Sequence, residues 1–188
     1  MLLVGLGNPG EKYQANRHNV GFITVQEILH RYSFPIWREK FKGLYTSGDI
    51  GGEKVHLLLP QTFMNLSGES VQACAQFFKI KPEDILVFHD ELDLELGKVK
   101  FKTGGGHAGH NGLRSIIGQL GTPNFRRCRI GIGHPGRKEL VTPWVLGNFS
   151  QDEVPEAIDM CQALGKIGDK YLTYDDGQLT SEYAKLRR

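Results

Sequence analysis

His18, Asp90, Asn8, Asn65 and Asn111 are the side chains of this 188-residue sequence best suited to chemistry at a common crevice. Each adjoins an expected end of a strand or helix, and strand ends in an α/β sheet open into one crevice. An imidazole bonded through one nitrogen to a carboxylate is oriented and made more basic, so its other nitrogen can take a proton from water. Neutral carboxamides can hold a carbonyl and stabilise an oxyanion without adding charge. The set therefore suits attack of water on an activated acyl group, with no covalent intermediate. Taken singly, each residue has a simpler reading: Asn favours caps and turns, a lone His is commonly just exposed or hydrogen-bonded, and Asp90 can cap a loop.

Other chemistries fit less well. Gly5-Leu-Gly-Asn-Pro-Gly10 has the spacing of a dinucleotide-binding fingerprint. That fingerprint needs a helix opening near its second glycine and an acidic residue at the end of the next strand. Asn8-Pro9-Gly10 prescribes a turn instead, and Glu27 falls inside the helix expected after Asn19. No nucleophile elbow is present, and Asn65-Leu-Ser-Gly-Glu-Ser70 reads as a helix N-terminus. Cys74, Cys128 and Cys161 stand in helix or strand contexts, where a thiol is usually a small hydrophobe, and they have no disulfide-like spacing. Reduced thiols fit a cytoplasmic protein. His89, Asp90, His107, His110 and His134 could converge on zinc, but the glycine loop around His107 and His110 would fix ligand geometry poorly, so no metal is expected.

From Lys98 to Lys138 the chain has nine Lys or Arg and no Asp or Glu. With a formal net charge of +2 overall, the remainder holds 14 basic against 21 acidic residues. Such asymmetry points to a surface that faces a polyanion, and a phosphate backbone is the natural partner for a stretch that also contains the glycine loop Thr103–Gly112. A solvated basic face with no ligand is the alternative.

The elements that must position these groups follow from periodicity. Leu2–Leu6 reads as a buried strand, and Val20, Ile23, Ile28 and Leu29 mark an amphipathic helix with Asn19 as its N-cap. Leu44–Ile50 and Lys54–Leu59 flank Gly51-Gly52 as a hairpin. Ser67–Phe78 is expected to be helical, and Ile85–Phe88 is a strand that delivers His89 and Asp90 at its end. Lys98–Lys102 alternates, so its three lysines share one face. Leu113–Leu120 should be a short helix, Arg129–Ile132 a strand, and Glu153–Leu172 helical with breaks near Gly165 and Gly168. Interleaved strands and helices predict one α/β domain spanning residues 1–188, with three layers and a twisted, mixed sheet flanked by helices. The opening residues lack the basic flank of a signal peptide, and no apolar run is long enough for a membrane span.

At the same residues the sequence resembles the bacterial peptidyl-tRNA hydrolase family. The resemblance is carried by Gly5–Gly10 with Tyr13, then by Asn16-Arg-His-Asn-Val-Gly-Phe22, Phe63-Met-Asn-Leu-Ser-Gly68 and His89-Asp-Glu-Leu-Asp93. Gly104-Gly-Gly-His-Ala-Gly-His-Asn-Gly-Leu-Arg114 and Arg129-Ile-Gly-Ile-Gly-His-Pro-Gly136 complete it. It implies a monomeric, cytoplasmic α/β enzyme without metal or cofactor that cleaves the ester between a peptide and the 3′ ribose of tRNA, recycling prematurely released peptidyl-tRNA. It implies His18 as general base and Asp90 as its partner. Asn8, Asn65 and Asn111 would bind the peptide end and the attacked carbonyl, and Tyr13 would sit near the tRNA 3′ end. Lys102, Arg129 and Lys138 would contact tRNA, with Phe63, Met64 and His110 as further substrate contacts. Ala108 departs from the glycine that the family more often has there, which bears on loop mobility. A non-catalytic RNA adaptor and an esterase for small acyl substrates are the rival readings. The intact set of His18, Asp90 and the three asparagines speaks against the first, and salt dependence separates the second.

Overall fold

The computed structural model describes all 188 residues. Its strands are β1 (Leu2–Gly5), β2 (Arg38–Lys40), β3 (Gly43–Ile50), β4 (Glu53–Pro60), β5 (Ile85–Glu91), β6 (Val99–Thr103) and β7 (Arg126–Gly131). The helices are α1 (Val20–Arg31), α2 (Ser67–Phe78), α3 (Asn111–Leu120), α4 (Val141–Val145), α5 (Val154–Lys166) and α6 (Asp176–Leu186). The strands form one seven-stranded sheet in the order β2-β3-β4-β1-β5-β7-β6. β4, β1, β5 and β7 run parallel, while β2, β3 and β6 add antiparallel edges, so the sheet is mixed.

The parallel strands are apolar on both faces because helices cover both. Leu3, Leu57, Leu86, Phe88 and Ile130 point to the layer of α1 and α5, with Val25, Ile28, Met160 and Leu164. Leu2, Val4, Leu58, Ile85 and Val87 point to α2 and α3, where they meet Val71, Cys74, Leu113 and Ile116. No helix is long and apolar enough to cross a membrane.

Several boundaries differ from the periodicity. Asn19 does not cap α1; its side chain instead brackets the backbone of Asn8, accepting from the amide and donating to the carbonyl, each at 2.9 Å. β7 begins at Arg126 rather than Arg129, because Arg126 and Arg127 lie within the sheet and use their guanidinium groups inside the molecule. α3 begins at Asn111, capped by the His110 side chain. β2 and α4 are too short for periodicity to reveal, and α6 lies beyond the helical stretch expected at 153–172. The hairpin turns at Gly51 and Gly52, whose φ values of 60° and 84° suit the reversed turn that matches strand twist.

Candidate active site

Two parallel neighbours set up the site. Gly5 at the end of β1 pairs with Phe88, so the C-terminal ends of β1 and β5 open on the same edge of the sheet. After β1 the chain swings through Gly10 (φ 113°) into short 3₁₀ turns at Glu11–Tyr13 and Arg17–Asn19, and the second carries His18. α1 then starts against the sheet: Phe22 donates its N–H to the carbonyl of Leu6 at 3.2 Å. Gly21 permits this approach, since a Cβ there would collide with the Phe88 carbonyl and the Leu6 backbone. The turn bearing His18 is thereby held over the end of β5, where Asp90 lies.

Nδ1 of His18 stands 2.8 Å from Oδ2 of Asp90, and Nε2 of His110 stands 2.8 Å from Oδ1 of the same carboxylate. Nδ1 of His110 accepts the N–H groups of Gly112 and Leu113 at 3.1 and 3.3 Å. An imidazole nitrogen that accepts carries no proton, so His110 donates to Asp90 from Nε2. Asp90 is therefore fully engaged, one oxygen on each ring. Burial alone would raise its pKa, but His18 and His110 outweigh that and hold the carboxyl well below the usual carboxylate range. Burial works against a charged His18 as well, yet the charge and hydrogen bond of Asp90 win and raise the His18 pKa above its ordinary value. No protein group bonds to Nε2 of His18. Beneath them lies His89, packed edge-on against His110 with ring centroids 5.2 Å apart. Its Nδ1 meets the Asp90 carbonyl at 2.9 Å, and burial drives its pKa down to about 3, so it stays neutral.

The cleft above the cluster measures about 520 Å³, and His18, Asp90, His110, Asn111, Lys102, Arg129 and Lys138 all line it. The other expected residues lie outside that lining. Asn8 is buried, and its Oδ1 accepts the Met64 N–H at 2.8 Å, leaving Nδ2 without a protein partner. Met64 itself is packed in the core with Leu6 and Leu113. Phe63 and Asn65 are exposed at the turn before α2, and Tyr13 is half-buried.

The basic stretch divides in two. Arg126 donates to the carbonyls of Tyr171 and Tyr174 and pairs with Asp176. Arg127, 1% exposed, donates to the carbonyls of Gly105, Gly106 and Pro123 and so ties down the glycine loop. Neither is available to a phosphate. Arg129 is held through Nε by Glu91 at 2.8 Å, with its terminal nitrogens free of protein partners, while Lys102 and Lys138 form no ion pair. In the loop, Ala108 adopts a left-handed conformation with φ 48°, a region that costs a residue with a Cβ about 1–2 kcal/mol.

The nitrogen and oxygen atoms of His18, Asp90 and His110 lie within 4.8 Å of one another, so this is where a cation would have to bind. The two 2.8 Å spacings are those of single shared protons, and Nε2 of His110 is held protonated by its cap. A metal ion would have to displace both protons, so the donor set suits hydrogen bonding rather than coordination. His107 and His134 line the cleft separately, each accepting a backbone N–H two residues on. Residue chemistry does not single out Arg17 and Glu91, and it reads His89 and Asn19 only as a zinc candidate and a helix cap, because each acts through a packed or local contact that spacing does not reveal.

A family model described as peptidyl-tRNA hydrolase matches residues 2–187. A peptidyl-tRNA hydrolase of Dinoroseobacter shibae is 51% identical over 177 residues, covering 94% of this chain and 75% of that protein. One from Parvibaculum lavamentivorans is 55% identical over 159 residues, covering 85% and 77% respectively. The solved structure of peptidyl-tRNA hydrolase from Acinetobacter baumannii superposes with a TM-score of 0.88 at 44% identity, covering 97% of this chain and 93% of that one. The match spans the strands, the glycine loop and the turn that carries His18: the chain belongs to the peptidyl-tRNA hydrolase family.

Proposed function

We propose that this protein hydrolyses the ester joining a peptide, or an N-blocked amino acid, to the 3′ ribose of tRNA, with His18 as the general base. The observation that carries this reading is the 2.8 Å bond from His18 Nδ1 to Asp90, which leaves Nε2 unpartnered in the ring that lines the cleft. Nε2 takes a proton from water as the oxygen adds to the ester carbonyl. When the tetrahedral intermediate collapses, the imidazolium returns that proton to the departing 3′ oxygen. Asp90 stays ionised throughout, orienting the ring and stabilising its charged form. Asn111 and Asn65 hold the substrate, the free Nδ2 of Asn8 is a donor for the attacked carbonyl, and an amide supports the oxyanion. Lys102, Arg129 and Lys138 contact tRNA phosphates beside the cleft, while Tyr13, Phe63 and His110 complete the substrate contacts; Met64 contributes its backbone through Asn8. The protein acts in the cytoplasm as a monomeric single domain, recycling tRNA.

Release of N-acetylated amino acids from tRNA, followed with chelator present, tests the reading. Turnover that survives chelator supports a hydrolase without metal. Tight tRNA binding with no turnover would make the protein an RNA adaptor, and turnover insensitive to ionic strength would make it an esterase for small substrates.

A further inference from the structure

α4 forms part of the cleft through Val141, Thr142 and Val145, and Lys138 sits in the 3₁₀ turn just before it. The helix is five residues long and none of them is buried. Trp144 and Val145 pack only partly against the core, so hydrophobic burial alone holds this wall loosely. Its polar anchor is Arg17, the residue before His18. Its guanidinium lies 3.7 Å from the ring centre of Trp144 and 5.7 Å from that of Phe149. Nη1 donates to the Trp144 carbonyl at 3.3 Å, and Nη2 pairs with Glu153 at 2.7 Å. Trp144 in turn donates from Nε1 to the Gly133 carbonyl at 3.0 Å, which links the stack to the end of β7. Around it, Asn16 bonds to Asn148 at 2.6 Å, and Arg17 donates its backbone N–H to Gly147. Arg17 is 7% exposed, so its charge is largely desolvated, a setting in which stacking on an aromatic face is at its strongest.

We infer that Arg17 is a positioning residue: it fixes the wall of residues 138–145, and with it Lys138, at a set distance from the base. Because Arg17 and His18 share one 3₁₀ turn, the wall and the base are held as one body. The inference rests on the hydrolase reading above. If wild-type protein shows no turnover, that reading fails; this one is judged from variants of an active protein.

The test is steady-state hydrolysis of N-acetyl-aminoacyl-tRNA by Arg17→Ala, Arg17→Lys and Trp144→Leu. Loosening the wall should raise KM about tenfold in Arg17→Ala and Trp144→Leu, with kcat within about threefold and the acid limb of the pH profile unmoved. Arg17→Lys keeps the pairing with Glu153 but loses the planar stack, so it should recover only part of the KM. The double variant Arg17→Ala/Trp144→Leu should be no worse than either single one, and Trp144→Leu keeps the inference testable if Arg17→Ala folds poorly. A fall in melting temperature with KM unchanged would reduce Arg17 to a purely structural role. A shift of the pH limb with KM unchanged would place its effect on His18 instead. Either result overturns the inference.

Discussion

His110 and Asp90 fix each other's state: the Nε2–H of His110 donates to Oδ1 of Asp90 at 2.8 Å, while Nδ1 of the same ring caps α3. The cap leaves Nε2 as the donating nitrogen, which keeps Asp90 supplied with one donor besides His18. The glycine loop and the His18–Asp90 pair are thereby joined through one imidazole.

His110→Ala should remove both contacts. A lost helix cap costs about 1 kcal/mol, and a buried carboxylate oxygen left without a donor costs about 1–3 kcal/mol more. His110→Asn can still cap but is too short to keep the Asp90 contact, so it should recover roughly the cap's share. Urea unfolding of the two variants measures this; equal losses would show that the cap contributes nothing.

The pH profile of kcat/KM reports the pair directly. Burial lowers the His18 pKa and Asp90 more than offsets it, so activity should fall as pH drops through a value above 6.5. In Asp90→Asn only burial remains, and the acid limb should move below that of the wild type even as the maximal rate drops. An unmoved limb would mean that Asp90 does not set the basicity of His18.

Salt dependence of tRNA binding separates the two kinds of basic residue in this stretch. Lys102→Ala and Lys138→Ala should each reduce the slope of log K against log salt by about 0.7–0.9, one phosphate contact apiece. Arg127→Ala should leave the slope unchanged and instead destabilise the fold by about 2–3 kcal/mol, since three loop carbonyls lose their donor. A changed slope in Arg127→Ala would put that residue on the RNA.

Acid should destabilise the fold through two buried histidines. The pKa values of His89 and His56 are pushed down by burial to about 3 and about 4. The unfolded chain takes up these protons near 6.5, so between there and the folded values it binds more protons, and stability declines as pH falls. His18, with its raised value, is protonated in both states below 6.5 and adds only a constant there. His56 lies away from the cleft, bonded to Tyr45 at 2.7 Å. His56→Asn should flatten the decline by about 1.4 kcal/mol per pH unit in its window. An unchanged slope would assign the acid sensitivity elsewhere.

Much of this was legible in the residues, and where it was not the reasons are physical. The apolar runs located β1 and β5, and hence the edge where His18 and Asp90 meet, because a strand buried on both faces leaves an unbroken signal. Charge counting placed Arg126 and Arg127 on a polyanion-facing surface. A guanidinium that binds loop carbonyls carries the same +1 as one facing solvent, so sequence does not tell them apart. Asn19 has the residue type of a cap and sits where a cap is expected, but its side chain is spent on Asn8. Conversely His110, a rare cap, does cap α3, and only the geometry reveals that Asp90 is shared.

The most direct test of the account is the single-turnover rate of ester cleavage by His18→Ala on N-acetyl-aminoacyl-tRNA, with tRNA affinity measured on the same protein. The account predicts a loss of about 10²–10⁴-fold in rate with affinity nearly intact, since a general base is removed and the phosphate contacts are not. A variant that keeps the wild-type rate would contradict the assignment of His18 as the base.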